Sequence, residues 1–309
     1  SGYKYLFGPV PSRRLGASLG VSPIPERTCN YSCVYCQLGR TLRMTNTRQE
    51  FFPLEEILAE FREYLRGSIP FDVVTVVGEG EPTLYSCLGE LIAGLKKETD
   101  KPVAVITNGA LLYDAEMRRE LMEADIVLPS LDAVTEEQYR KIDRPMGSIG
   151  FAEMAEGLRQ FAREYQGQLW IEIMLVDGMN DSPEDIAAFK EFLGTIDYDR
   201  VYLNTPVRPP AEGFVHTSAP ERIDLAAREL GGISIDQLTS GSFFSEVEDP
   251  YEAILSIARR HPMNQFEVES FLEAREIPAD QRQTLMERLG QDPGITVVPY
   301  KGIITYRVN

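Results

Sequence analysis

Six short apolar runs rich in β-branched residues recur along the 309-residue chain, at about 16–22, 72–78, 102–107, 125–131, 169–176 and 200–205. Segments of helical period lie between them, at about 54–66, 84–98, 111–123, 150–165 and 182–194. Strands that alternate with helices build βαβ units, and βαβ units build a parallel sheet. The spacing therefore predicts an α/β fold. In β/α barrels the active site lies at the carboxyl ends of the strands, so the chemistry is sought at each strand end in turn.

The first strand leads into the run Cys29-Asn30-Tyr31-Ser32-Cys33-Val34-Tyr35-Cys36, while the fourth cysteine, Cys87, is remote. A disulfide scaffold is not expected from a long, cysteine-poor chain without a charged-then-apolar leader. Soft thiolates suit zinc or an iron–sulfur cluster. Structural zinc wants a fourth ligand, and the candidates, Cys87, His216 and His261, all lie far off in sequence. Three thiolates on one loop fit a [4Fe–4S] cube with one iron left open. Zinc and a plain electron-transfer cluster remain alternatives.

This C-x3-C-x2-C run, with Tyr35 just before the last cysteine, resembles the radical S-adenosylmethionine (SAM) enzymes. The resemblance implies that Cys29, Cys33 and Cys36 ligate a [4Fe–4S] cluster and that SAM chelates the open iron. The reduced cluster would cleave SAM to methionine and a 5′-deoxyadenosyl radical, which abstracts hydrogen from a substrate. It further implies a partial (β/α)6 TIM-like barrel and a reductant such as a ferredoxin or flavodoxin.

The later strand ends extend the likeness. Gly78-Glu79-Gly80-Glu81-Pro82 resembles the family's Gly-Gly-Glu-Pro motif for the SAM amino group; Gly80 and Glu81 carry over, and Glu79 stands where the family has glycine. A carboxylate complements an ammonium, and glycine lets backbone carbonyls approach it. Thr107 and Asn108 in Thr107-Asn108-Gly109 fall where the family reaches the ribose or carboxylate. Ser130 and Asp132 alternate to one side of the fourth strand, where the family meets the ribose hydroxyls. The Arg144 guanidinium suits the SAM carboxylate. Asn180 and Asn204 follow the fifth and sixth strands, where the family binds adenine; each fits a cap or turn equally well.

The run Phe7-Gly8-Pro9-Val10-Pro11-Ser12-Arg13-Arg14-Leu15-Gly16 and the continuation Cys36-Gln37-Leu38-Gly39 resemble a subgroup of small radical SAM proteins allied to the archaeal wyosine-forming tRNA enzymes. Those enzymes carry a second cluster, for which this chain has no cysteines, so their tRNA reaction is not carried over. Cys87 is expected to pack as a small apolar residue near a helix start.

After Pro210 the pattern changes. Residues 216–245 read as a linker with one helix near 219–230 and a Ser240-Gly241-Ser242 run. Helices are expected at about 251–260, 265–275 and 280–289, then two β-rich runs joined at Lys301-Gly302. Three helices and a hairpin resemble a winged helix-turn-helix over 246–309, behind a barrel of residues 1–215. Such folds usually read DNA, but residues 217–309 hold 15 acidic and 9 basic residues, and phosphate repels such a surface. DNA is therefore not the expected partner.

The net charge of −17 is unevenly spread: residues 1–50 hold seven basic residues and two acidic ones. The positive segment is the one that carries the cysteines, so an anionic substrate at the barrel mouth stays open. The substrate falls among small molecules, RNA and peptides. The alternative of another class is a zinc- or cluster-bearing regulator that works through its winged-helix-like segment. No run approaches the roughly 18 apolar residues of a membrane span, and a cytoplasmic location is expected.

Overall fold

A computed structural model describes residues 2–67, 69–235, 243, 245–300 and 303–309. Two strands open the chain, β1 (Leu6–Ser12) and β2 (Gly16–Val21). The cysteine loop follows, with two-residue strands β3 (Thr28–Cys29) and β4 (Arg43–Met44). Then come α1 (Leu54–Leu65), β5 (Val73–Val76), α2 (Leu88–Glu98), β6 (Val103–Thr107), α3 (Ala115–Leu121), β7 (Ile126–Pro129), α4 (Glu136–Ile142) and α5 (Phe151–Glu164). The series ends with β8 (Gln168–Met174), α6 (Pro183–Leu193), β9 (Arg200–Asn204), α7 (Pro220–Leu230) and β10 (Ile233–Ser234).

Eight strands form one sheet in the order β1-β2-β5-β6-β7-β8-β9-β10. Every neighbouring pair from β2 to β10 is parallel, and β1 lies antiparallel on β2. The order leaves β1 and β10 as edges, so the barrel is partial. All six runs marked in the sequence are strands of this sheet. Residues 220–234, expected within a linker, instead supply α7 and the seventh parallel strand. Ile223, Ala226 and Leu230 bury one face of α7, and Gly231 ends it at φ 65°, the left-handed conformation glycine adopts freely.

Alternation along each strand divides the interior in two. Val74, Val76, Val105, Val127, Ile171 and Leu203 face the helices and pack with Leu91, Ile92, Phe161 and Phe189. Val73, Ala104, Leu128, Trp170 and Tyr202 face the concave side and pack with Ile235. Each large side chain so buried is worth about 1.5–3 kcal/mol. The helices are started by local chemistry. In α6, Ser182 accepts from the Asp185 N–H while the Asp185 carboxylate accepts from the Ser182 N–H, with Pro183 at the first turn, a reciprocal cap worth about 1 kcal/mol.

The remaining elements are α8 (Pro250–Ala258), β11 (Met263–Asn264), α9 (Gln265–Ala274), α10 (Ala279–Gln291), β12 (Ile295–Tyr300) and β13 (Ile303–Val308). The three strands pair antiparallel in the order β11-β13-β12. Ser240-Gly241-Ser242 and Lys301-Gly302 lie outside the described residues. Tyr251, Ile254, Phe271, Leu272 and Tyr306 share a core with Phe7 and Val10 of β1. Polar ties join the same parts: Arg208 forks onto Glu267 (2.7 and 2.9 Å), Arg307 donates to the Pro209 carbonyl (2.9 Å), and Arg260 donates to the Lys4 carbonyl (3.0 Å). The segment therefore roofs the concave side of the sheet. Arg282 of α10 faces Glu269 and Glu273 of α9, at 4.0 and 3.6 Å.

His261 sits in this roof. Burial pushes its imidazole down to about 3 from 6.5, with Arg208 lowering it further and Glu267 opposing. Between those values the unfolded chain takes up a proton that the folded chain refuses. The stability is thus present above pH 6.5 and falls as the pH drops through the window, by roughly 1.4 kcal/mol per pH unit. His261→Gln is expected to flatten the loss of stability between pH 7 and 5, read from urea unfolding midpoints. Parallel pH profiles for the two proteins would contradict this. Among the described residues, no helix is long and apolar enough to cross a membrane.

Candidate active site

The cysteine loop leaves the carboxyl end of β2 and is tied down on two sides. On one side Ser32 N donates to Asp143 O (3.0 Å) and Val34 N to Ile142 O (2.9 Å). On the other, Arg27 N donates to Glu79 O (2.6 Å) and Glu81 N to Thr28 O (3.1 Å). Tight turns carry the chain past the thiols, with Cys36 N on Cys33 O and Gly39 N on Cys36 O, both at 3.1 Å. The second tie fixes the residue type at position 80. A Cβ there would stand 1.9 Å from the Thr28 carbonyl oxygen, so only glycine lets the two backbones approach.

Between these ties opens a cleft of about 190 Å³, lined by Cys29, Cys33, Cys36, Gly80, Glu81, Thr107, Asn108 and Ser130. Arg27 and Thr41 also line it, and the sequence reading missed them; Glu79, marked in the sequence only as a departure from the family's glycine, lines it too. The available signal was a cation two residues before the first cysteine, where Arg27 takes φ 48°.

Burial pushes the Cys29 and Cys33 thiols up, helped by Glu81 at Cys29 and by Asp143 at Cys33. Burial also raises Cys36, against the Leu38 N–H and the Arg307 guanidinium. Thiols so placed ionise only against added positive charge, which a metal supplies. Three half-buried thiols around one cleft fit the donor set of a [4Fe–4S] cluster, which spreads its ligands over separate irons.

The Glu81 carboxylate is turned into the protein. One oxygen accepts from Thr83 N (3.0 Å), Thr83 Oγ1 (2.5 Å) and Thr107 Oγ1 (2.7 Å). The other accepts from Asn108 N (2.7 Å). Burial raises its pKa, and these donors pull against the shift. Glu81 thus pins the ends of β5 and β6 to each other, and its oxygens are committed to protein donors. Asn108 turns its Nδ2 to Asn30 Oδ1 (2.7 Å) and toward Cys29 Sγ (3.7 Å).

Four expected cofactor contacts lie outside the cleft lining, each consumed by internal bonds. Tyr35 donates its hydroxyl to Asp132 (2.5 Å), and Asp132 also accepts from Met174 N (3.1 Å). Asp132 and Asp143 hydrogen-bond each other, and burial beside Asp132 holds Asp143 well above the usual carboxylate range. Arg144 donates to Ser32 O (2.6 Å) and faces Glu212 (3.7 Å). Asn180 is fully buried, donates to Asp132 O (2.9 Å) and Met174 O (2.8 Å), and accepts from Val176 N (2.8 Å). These side chains brace the outer wall of the cysteine loop and the ends of β7 and β8. Asn204 lines a different space: a chamber of about 280 Å³ inside the barrel, which shares Val77, Gly78 and Ile106 with the cleft. Cys87 stands at the start of α2, outside the cleft, with no capping bond from its side chain.

The Radical SAM superfamily model matches residues 24–190, from before the first cysteine to within α6. A UPF0026 protein of Methanocaldococcus jannaschii is 32% identical over 314 residues, covering 98% of this chain and 95% of that protein. A Brachyspira hyodysenteriae protein named GTPase Obg is 43% identical over 205 residues, 66% of this chain. The chain spans only 30% of that relative's length. Among solved structures, a radical SAM methyltransferase from Sphaerobacter thermophilus shares the fold with a TM-score of 0.53 at 18% identity, over 71% of this chain and 67% of that one. With the cysteine cleft at the strand ends of a partial parallel barrel, the chain belongs to the radical SAM superfamily of enzymes, whose cofactors are a [4Fe–4S] cluster and SAM.

Proposed function

We propose that Cys29, Cys33 and Cys36 hold the [4Fe–4S] cluster in the cleft, beside SAM, and that the enzyme abstracts hydrogen from an organic substrate. The supporting observation is that all three thiols share one cleft with Gly80, Asn108 and Ser130, at the carboxyl ends of successive parallel strands. When bound, the reduced cluster supplies the electron that cleaves SAM to methionine and a 5′-deoxyadenosyl radical.

The chain's own part is binding and positioning. Gly80 leaves backbone room for an ammonium group, and Asn108 and Ser130 offer polar atoms to the ribose and carboxylate. Glu81 holds those strand ends in register. Tyr35, Asp132, Arg144 and Asn180 brace the loop from behind. The electron comes from an external reductant of ferredoxin or flavodoxin type. By role, the residues up to β10 build the barrel and residues 246–309 roof it, which favours an enzyme roof over a DNA reader for the C-terminal segment.

The test is release of 5′-deoxyadenosine from SAM by reconstituted, dithionite-reduced protein. Protein that keeps a full cluster and releases none overturns the reading. Zinc without sulfide would favour the regulator instead. In the same assay Gly80→Ala is expected to lose about 100-fold, because a shift near 1 Å at a reacting centre costs that much. Wild-type rates in Gly80→Ala would show that the approach to Thr28 does not matter.

A further inference from the structure

The chamber inside the barrel has walls unlike the rest of the molecule. In a chain of net charge −17, its charged lining among the described residues is four arginines, Arg13, Arg14, Arg208 and Arg260, against one carboxylate, Glu267. The arginines come from three places: the β1–β2 turn, the loop after β9 and the roof. Only the folded chain brings them together.

Three of them are held in place. Arg14 pairs with Glu172 on β8. Arg208 forks onto Glu267 and also donates to the Pro262 carbonyl (2.9 Å). Arg260 faces Glu79 at 3.7 Å. Each guanidinium has five N–H donors in a fixed fork, and one carboxylate does not occupy them all. Among the described residues, Nε of Arg260 and Nε2 of His261 are buried without a hydrogen-bond partner. Arg13 is the least committed: its one hydrogen bond among the described residues runs to the Ile235 carbonyl at 3.4 Å. With Glu172, Glu267 and Glu79 facing the other three, Arg13 is the cation that keeps its charge for a ligand, and guanidinium forks match phosphate and carboxylate bidentately.

Size and position narrow the occupant. The 280 Å³ space lies at the small end of ligand pockets, roughly 300–1,000 Å³. Part of its wall is the roof, through Arg260, His261 and Glu267. Its wall at Val77, Gly78 and Ile106 is also the wall of the cysteine cleft. We propose that this chamber is the substrate pocket and that it takes a small organic anion, with the phosphate or carboxylate group on Arg13, Arg14 and Arg208 and the reacting end at Val77 and Gly78. The inference rests on the function proposed above and adds the substrate class.

The experiment is calorimetric titration of the reconstituted holoenzyme with two probes, ribose 5-phosphate and citrate, under anoxic conditions. At least one probe is expected to bind. Arg13→Gln is expected to weaken it by about tenfold or more, the usual cost of one charge-assisted contact. Arg13→Lys is expected to fall between. Arg43→Gln, on exposed β4, is the control and is expected to stay within about twofold, since Arg43 lines neither cavity. Arg13 is itself exposed, so its replacement leaves the core intact. No binding of either probe at about 10 mM, or equal weakening by Arg13→Gln and Arg43→Gln, overturns the inference; an affinity near that value is the millimolar limit of specific recognition. The same samples are assayed for 5′-deoxyadenosine. SAM cleavage without anion binding sinks the chamber assignment alone, and anion binding without SAM cleavage sinks the proposed chemistry alone. An RNA or peptide that accelerates SAM cleavage while both probes fail would replace the small anion as substrate.

Discussion

Replacing Cys29, Cys33 or Cys36 with alanine is expected to remove the iron–sulfur cluster and with it all SAM cleavage. The three thiols lie half-buried around one cleft, and desolvation raises each of them unless iron compensates its charge. With two thiolates left, one corner of the cube has no protein ligand. Iron and sulfide content, together with the visible charge-transfer absorbance, is the measurement. Full iron content in any of the three variants would contradict the assignment. The fold itself should survive, because backbone bonds from Ser32 and Val34 to the Asp143 and Ile142 carbonyls hold the loop without the thiols. Cys87→Ala is the matched control. It is expected to keep a full cluster, because Cys87 stands at the start of α2, outside the cleft.

Glu81→Ala is expected to be among the most destabilising single changes in the barrel, at roughly 3–5 kcal/mol. The carboxylate accepts four hydrogen bonds in a buried setting. The Thr83 and Thr107 hydroxyls are able to turn to other acceptors, but the Thr83 and Asn108 amides are fixed in the backbone. Each buried donor left unpaired costs about 1–3 kcal/mol, and the missing side chain leaves a void besides. Glu81→Gln is expected to lose less, since one oxygen stays while an NH2 group is set against donors. Urea midpoints read both values. A loss below about 1 kcal/mol for alanine would mean that water replaces the carboxylate, against its 3% exposure.

The six inner strands were legible because a parallel strand covered on both faces reads as a continuous β-branched run. β1 was not, since Pro9 and Pro11 interrupt it; an edge strand tolerates prolines where a central one does not. β10 and β11 are two residues each and exist only through their partners β9 and β13. α4 is a seven-residue helix capped by Thr135, shorter than two full periods of any pattern. In the site, the thiol spacing was legible because ligand geometry is local. The turning of Tyr35, Asp132, Arg144 and Asn180 away from the cleft was not. Their bonds run to residues as far apart as Tyr35 and Asp132, or Arg144 and Ser32, and a motif does not say which acceptor a polar side chain finds. Arg13 and Arg208 share a wall only because the sheet curves.

The shared core of β1 and the roof sets an order on the making of the protein. Phe7 and Val10 are synthesised well before the partners that bury them, Tyr251 through Tyr306. Domains fold largely as their segments emerge from the ribosome. Until the roof emerges the nascent barrel therefore presents an apolar stripe at the β1 edge and an interior open to solvent. The door is hung after the vessel is built, so removing residues 250–309 is expected to leave it open with a sticky rim rather than to give a shorter enzyme.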